Sequence, residues 1–242
     1  MTKGNHSQPQ YVGRDLEAMS FANNYHLWIL KEFKPFLGKH LVEVGAGIGD
    51  FSKLLINTEL KSLVAIEPSS NMFQTLEDNL KYLPNVSVFN QFFSEIYLSL
   101  PQKPDTILYI NVLEHIPDDE SELHYVYESL EHGGHACIFV PALQWLYGNV
   151  DRAVGHFRRY HKKPLKLLMQ SVGFEIVKCH YFDMVGILPW WLLFCVFKMN
   201  LKPNQVSVYD KVVVPVMQRV ESVIRQPFGK NLLIVGKKNF SS

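Results

Sequence analysis

The chain has 242 residues, 47% hydrophobic and 19% charged, enough to bury a full core in one domain without disulfides or metal staples. Its 24 basic and 23 acidic residues leave a formal net charge of +1, so no global field draws in nucleic acid or an anionic bilayer. Cys137, Cys179 and Cys195 are odd in number and widely spaced, with no C-x-x-C pair, which fits reduced thiols in a cytoplasmic protein. The opening MTKGNHSQPQ lacks the apolar core of a secretion signal, so export is not expected.

Residues 14–37 place Leu16, Met19, Phe21, Tyr25, Trp28, Ile29 and Phe33 at helical spacing, and Pro35 and Gly38 stop the pattern. From there strands and helices alternate. Strands are expected at 41–44, 62–67, 86–89, 105–110 and 134–140, with helices at 49–57, 70–81, 93–99 and 119–130 between them. A helix over 164–172, a strand over 174–181 and a final strand over 231–236 follow. Such alternation implies a parallel, doubly wound sheet with its ligand site at the carboxyl ends of the strands.

The most informative run is Leu41-Val-Glu-Val-Gly-Ala-Gly-Ile-Gly-Asp50, with Glu67 at the end of the next strand. An apolar strand entering a glycine turn that opens a helix, followed by a carboxylate placed to grip a ribose, is a nucleoside-cofactor arrangement. Pyrophosphate turns read G-x-G-x-x-G, with backbone N–H groups closed on phosphate. Here Asp50 stands where the last glycine would be, and Glu43 precedes the first. Both would repel phosphate, which disfavours a nicotinamide dehydrogenase, and both suit a cofactor carrying an ammonium group.

Through Glu43-Val-Gly-Ala-Gly-Ile-Gly49, Glu67 and Asp105-Thr-Ile-Leu-Tyr-Ile-Asn-Val-Leu-Glu-His-Ile116, the chain resembles the class I S-adenosylmethionine-dependent methyltransferases. The resemblance implies a Rossmann-like α/β fold whose seven-stranded sheet is doubly wound, mostly parallel, with the last strand antiparallel. Residues 1–40 would form N-terminal lid helices. Residues 41–182 would bind S-adenosylmethionine and carry a substrate loop at 141–163, 183–228 would be a helical insertion, and 229–242 would add the final strand. Glu43 and the backbone of Gly45, Ala46, Gly47 and Gly49 would meet the methionine part of the cofactor, as would Asn111. Glu67 would accept from the ribose hydroxyls, while Pro68 and Met72 would lie against adenine. The acid that often reads the adenine amino group is missing from Asn90-Gln-Phe-Phe-Ser94, leaving Gln91 or a backbone carbonyl to substitute.

Removal of the acceptor's proton needs a base, and histidine titrates near neutrality. His156, in Gly155-His-Phe-Arg-Arg-Tyr160, is the first choice, with His115 and the phenol of Tyr25 as further candidates. Tyr11, Tyr25, His26 and Trp28 would pack as a lid or as plain core. Arg158 and Arg159 would hold an anionic acceptor or pair with surface acids, and Trp145, Tyr147 and Tyr160 would line a site for a flat or greasy one. Without a metal, the base acts alone. In the alternative, Glu114, His115 and His156 form a divalent-metal site, as in methyltransferases with a Glu-x-x-Glu-His segment, although Asn111 replaces the first Glu.

The run Val185-Gly-Ile-Leu-Pro-Trp-Trp-Leu-Leu-Phe-Cys-Val-Phe197 is too short to cross a bilayer, which takes about 20 residues. It suits a buried helix, a dimer contact or a peripheral membrane contact. The reading that emerges is a cytoplasmic O-methyltransferase of a small molecule, with no nucleic-acid partner. The alternatives are N-methylation, metal-assisted methylation of RNA ribose, and a non-catalytic subunit that binds the cofactor.

Overall fold

A computed structural model describes residues 22–199, 203–224 and 226–239. Helix α1 (Asn23–Phe33) leads through one 3-10 turn, Lys34–Phe36, into β1 (His40–Val44). The alternation then runs α2 (Asp50–Ile56), β2 (Ser62–Ile66), α3 (Ser70–Leu80), β3 (Val86–Phe89), α4 (Phe93–Ile96), β4 (Thr106–Ile110), α5 (Asp119–Ser129) and β5 (His135–Pro141). After the short α6 (Asn149–Ala153) come α7 (Lys162–Val172) and β6 (Glu175–Phe182). The insertion contributes α8 (Ile187–Trp190), prolonged by π-helical turns to Val196, then α9 (Pro203–Val208), a π-helical segment Tyr209–Val213 and α10 (Val214–Glu221). Strand β7 (Asn231–Lys237) closes the sheet.

The strand order is β3-β2-β1-β4-β5-β7-β6, with β1 to β5 parallel and β7 antiparallel to both of its neighbours. This is the expected topology. Period-two alternation sorts the strand residues between two cores. Val42, Val64, Ile107, Tyr109, Ile138 and Ile234 pack with Leu123 and Val126 of α5 and Leu165 and Met169 of α7 on one face. Leu41, Leu63, Leu108, Cys137, Phe139 and Leu233 pack on the other with α1, α2 and α10.

Helix α1, the described part of the expected lid, packs largely as core, with Ala22, Tyr25 and His26 reaching a cavity. Tyr25, Trp28, Ile29 and Phe33, at helical spacing on α1, are buried against Phe139 and Phe182, so most of the helix is core. Tyr11 lies outside the described residues. Ala22 supplies no side-chain cap for α1. The cap comes from the insertion, where the buried Asp210 carboxylate accepts from the backbone N–H of Asn24 at 3.0 Å and of Tyr25 at 2.8 Å. A carboxylate on those orphan donors also meets the positive end of the helix dipole. The apolar run 185–197 is divided rather than uniformly buried. Phe194 is buried and Ile187 and Trp190 pack on the core, whereas Leu188, Trp191, Val196 and Phe197 face outward. No described helix is long and apolar enough to cross a membrane.

Candidate active site

A cavity of about 690 Å³ opens at the carboxyl ends of β1, β2, β4 and β5, where a doubly wound sheet places its ligand. Its floor is the glycine turn. Gly45, Gly47 and Gly49 all have positive φ, and a Cβ on Gly45 would strike Val112 at 2.5 Å. The turn is pinned from below, because Gly45 and Ala46 donate their N–H groups to the Ile66 carbonyl at 2.8 and 3.0 Å. Gly49, in the left-handed region, starts α2 without facing the cavity.

Two carboxyls stand beside this turn. Glu43, near the end of β1, is 2% exposed, and its Oε2 accepts from the Ser52 hydroxyl. Burial pushes its pKa up to about 8, against the lowering effect of Ser52, and the charges of Asp50 and Glu67 add to the rise. Glu67 accepts from Gly47 N–H at 2.9 Å, from Ser69 N–H at 2.8 Å and from the Ser69 hydroxyl, and its carboxylate keeps lone-pair capacity for a ligand. Burial raises it too, opposed by those two backbone donors. Pro68, Met72 and Asn111 join the lining, Asn111 with φ of 54° directly after β4. Gln91 does not join it. Its side chain is exposed and outside the cavity, whose wall there is Phe92, Phe93 and Ser94, while neighbouring Asn90 donates to the carbonyls of Glu67 and Pro68. Gln91 is therefore not placed for the expected adenine contact.

The opposite wall is built around Asp151, a residue that sequence reasoning left unassigned. The turn before α6 lets Gly148 N–H donate to Asp151 Oδ2 at 2.8 Å. Arg159, itself buried, donates from Nε to Oδ1 at 2.8 Å and from Nη2 to Oδ2 at 3.1 Å, the bidentate arrangement that favours a guanidinium. The Arg159 guanidinium also stacks 4.9 Å from the Trp190 ring centre. Burial raises the Asp151 pKa, but the hydrogen bond with His156 and the charge of Arg159 outweigh it and hold the group below its ordinary range. The remaining contact is His156 Nδ1, 2.9 Å from Asp151 Oδ1. Since that oxygen can only accept, the network assigns a proton to Nδ1, which makes Nε2 the lone-pair nitrogen of the neutral ring.

His156 Nε2 points toward Glu114 Oε1 at 3.7 Å, and the His115 ring stacks edge-on at 4.5 Å between centres. Each of Glu114, His115 and His156 offers a ligand atom within 4.8 Å of the others. Glu114 is fully buried with neither carboxyl oxygen hydrogen-bonded. Burial raises its pKa to about 7, offset in part by His156. Burial, then the charge of His156, lowers His115 to about 4, so its imidazole is neutral across the physiological range.

The loop residues expected to bind substrate mostly serve this scaffold instead. Trp145 is exposed and outside the cavity. Tyr147 donates its hydroxyl to the His156 carbonyl at 2.5 Å. Tyr160 is buried, its single hydroxyl proton directed to the Asp119 carboxylate at 2.8 Å with the Leu113 carbonyl 3.2 Å away. Arg158 pairs with Asp119 at 2.6 Å and donates to the Pro117 carbonyl, so it holds no acceptor anion. Arg159 lines the cavity, but Asp151 already occupies its fork. Tyr25 does reach the cavity, donating to Asn231 Oδ1 at 3.0 Å. Burial, then Asp183, pushes its pKa far above the ordinary value, so the phenol stays protonated and is unsuited to act as a base. The roof is the insertion, through Gly186, Pro189, Trp190, Leu193, Gln205, Val206 and Tyr209.

A methyltransferase-domain family model matches residues 20–179. An uncharacterized methyltransferase of Bacillus pumilus is 28% identical over 116 residues, 48% of this chain and 52% of that protein. A tRNA U34 carboxymethyltransferase of Ruthia magnifica is 30% identical over 111 residues, 44% of this chain and 34% of that protein. The chain thus spans about half the length, or less, of the curated relatives it matches. Among solved structures, an S-adenosylmethionine-dependent methyltransferase from Archaeoglobus fulgidus aligns with a TM-score of 0.64 over 93% of this chain and 99% of that one, at 19% identity, a likeness of fold. With two thirds of its length matched by the family model and the sheet order in place, the chain belongs to the methyltransferase-domain family and has the class I S-adenosylmethionine-dependent fold.

Proposed function

We propose that this protein transfers a methyl group from S-adenosylmethionine to an oxygen of a small molecule, with His156 as the general base. The cofactor fits the donor set. The carboxyl of Glu43, buried without a cationic partner, suits the ammonium of the methionine part, and Glu67 presents lone pairs to ribose hydroxyls beside a glycine turn that leaves the backbone bare. S-adenosylmethionine supplies a methyl already activated on a sulfonium, so the chain has to align the acceptor and remove its proton.

The observation that carries the reading is the Asp151–His156 pair. Asp151 accepts from Nδ1 and so holds the imidazole on the cavity wall with Nε2 on the side of Glu114, 3.7 Å away, where that nitrogen can take a proton from an acceptor hydroxyl. Arg159 and Gly148 in turn keep Asp151 ionised and rigid. A cavity roofed by the insertion favours a small acceptor over a polynucleotide, in keeping with the small net charge. Release of S-adenosylhomocysteine over a panel of phenols, hydroxy acids and amines tests this. His156→Ala should leave cofactor affinity unchanged and slow turnover about 10²–10⁴-fold. Turnover only on amines, or normal turnover in the variant, would overturn the reading.

A second reading is favoured by the unpaired oxygens of Glu114, which with His115 and His156 Nε2 form an oxygen and nitrogen donor set suited to a divalent ion. Asp151 would then be the partner that orients a ligating histidine. Titration with Mg²⁺, Mn²⁺ and Zn²⁺, with the Glu114→Gln variant as control, separates the two: metal binding lost in the variant supports the metal site.

A further inference from the structure

The insertion has two faces, and the cavity accounts for only one. Gln205, Val206, Tyr209, Asp210 and Val214 turn inward to the cavity. On the other side Val208, Val212, Val216 and Val220 recur every fourth residue through α9, the π-helical segment and α10, and the first three are each more than half exposed. Twelve of the twenty large apolar side chains exposed among the described residues lie between 185 and 228, Trp191 and Phe197 of the α8 arm included. Concentration of this kind marks a surface that meets something apolar.

The charges on the insertion say what. Its acids are all turned in: Asp183 is buried against Lys230, Asp210 caps α1, and Glu221 accepts from the N–H groups of Asp183 and Met184. Among its described residues, the charged side chains that face solvent, Lys198, Lys211 and Arg219, are all basic. A two-fold contact between copies would set like charges against each other. An anionic lipid surface would complement them while the valines enter its acyl boundary, as amphipathic interfacial helices do. The near-neutral charge of the whole chain does not oppose this, because the basic residues are local to the apolar face.

We infer that the outer face of the insertion docks on an anionic bilayer surface, bringing the roof of the cavity against the lipid, so that the acceptor is an amphiphile drawn from the membrane. The acceptor clause rests on the methyltransferase reading of the cavity; the docking itself does not.

Co-sedimentation of the full chain with vesicles of phosphatidylglycerol and phosphatidylcholine, against pure phosphatidylcholine, tests the docking, with S-adenosylmethionine titration as the control for an intact fold. Binding to the anionic vesicles should exceed binding to the neutral ones at least tenfold. The double variant Val212→Glu, Val216→Glu should lose at least tenfold of it with cofactor affinity unchanged, and Lys211→Glu with Arg219→Glu should abolish the preference for anionic lipid. Absence of wild-type binding to either vesicle overturns the inference. So does a wild-type dimer that the valine variant converts to monomer, since the face would then belong to a second copy. Failure of the methyltransferase reading would appear separately, as absent cofactor binding or turnover.

Discussion

Glu43 offers a direct test of how the cofactor is held, because burial disfavours the ionised carboxylate that the proposed pairing with the ammonium requires. With its pKa pushed up to about 8 it carries a proton at neutrality before the cofactor binds, whereas the proposed pairing with the cofactor's ammonium requires the carboxylate. Ionising it at about pH 7 costs roughly 1.4 kcal/mol, and binding there should release close to one proton. Raising the pH from about 6.5 to about 8 should therefore tighten S-adenosylmethionine binding by about 15-fold. Titration calorimetry in two buffers of different ionisation heat reads both the affinity and the proton release. Glu43→Gln should remove the pH dependence and weaken binding by about 1.5–3 kcal/mol, the value of a hydrogen bond to a charged group. The sign for stability is opposite. Between the ordinary value of 4.5 and about 8 the unfolded chain ionises this group and the folded protein, before the cofactor binds, does not, so stability falls as pH rises through that window. Flat affinity over the window, with no proton released, would refute the assignment of Glu43 to the ammonium.

Other outcomes follow from the same geometry. Glu67→Ala should weaken cofactor binding by about 1–3 kcal/mol and release the Gly47 N–H it now holds, read by the same calorimetry. Asp151→Asn should act as loss of a positioning residue: kcat falls with cofactor affinity unchanged, and the His156 ring resonances shift as its tautomer preference is lost. Asp210→Ala should strand the Asn24 and Tyr25 N–H groups and lower stability by about 1–2 kcal/mol, seen as a Tm lower by several degrees.

Sequence alone was enough for the sheet. Strands whose residues alternate between two buried faces, each closed by a turn or a helix start, leave little freedom of register, and all seven observed strands fall within a residue or so of expectation. The placement of the glycine turn and of Glu67 was legible for the same reason: it is set by backbone conformation and by position at a strand end, both local properties. What the sequence did not reveal lies where side chains from distant segments meet. Asp151 reads as one more acid in a polar loop until the fold buries it and brings Arg159 and His156 onto its two oxygens. Gln91 sits in the right segment yet points to solvent, because Phe93 takes the buried place. The insertion reads as one apolar run and one mixed stretch. Only tertiary packing decides that Asp210 caps a helix 185 residues away, that Tyr209 turns into the cavity, and that Val208, Val212 and Val216 face outward. Periodicity fixes which face of an element is apolar, but two apolar faces on one helix can be told apart only by what the rest of the chain packs against them.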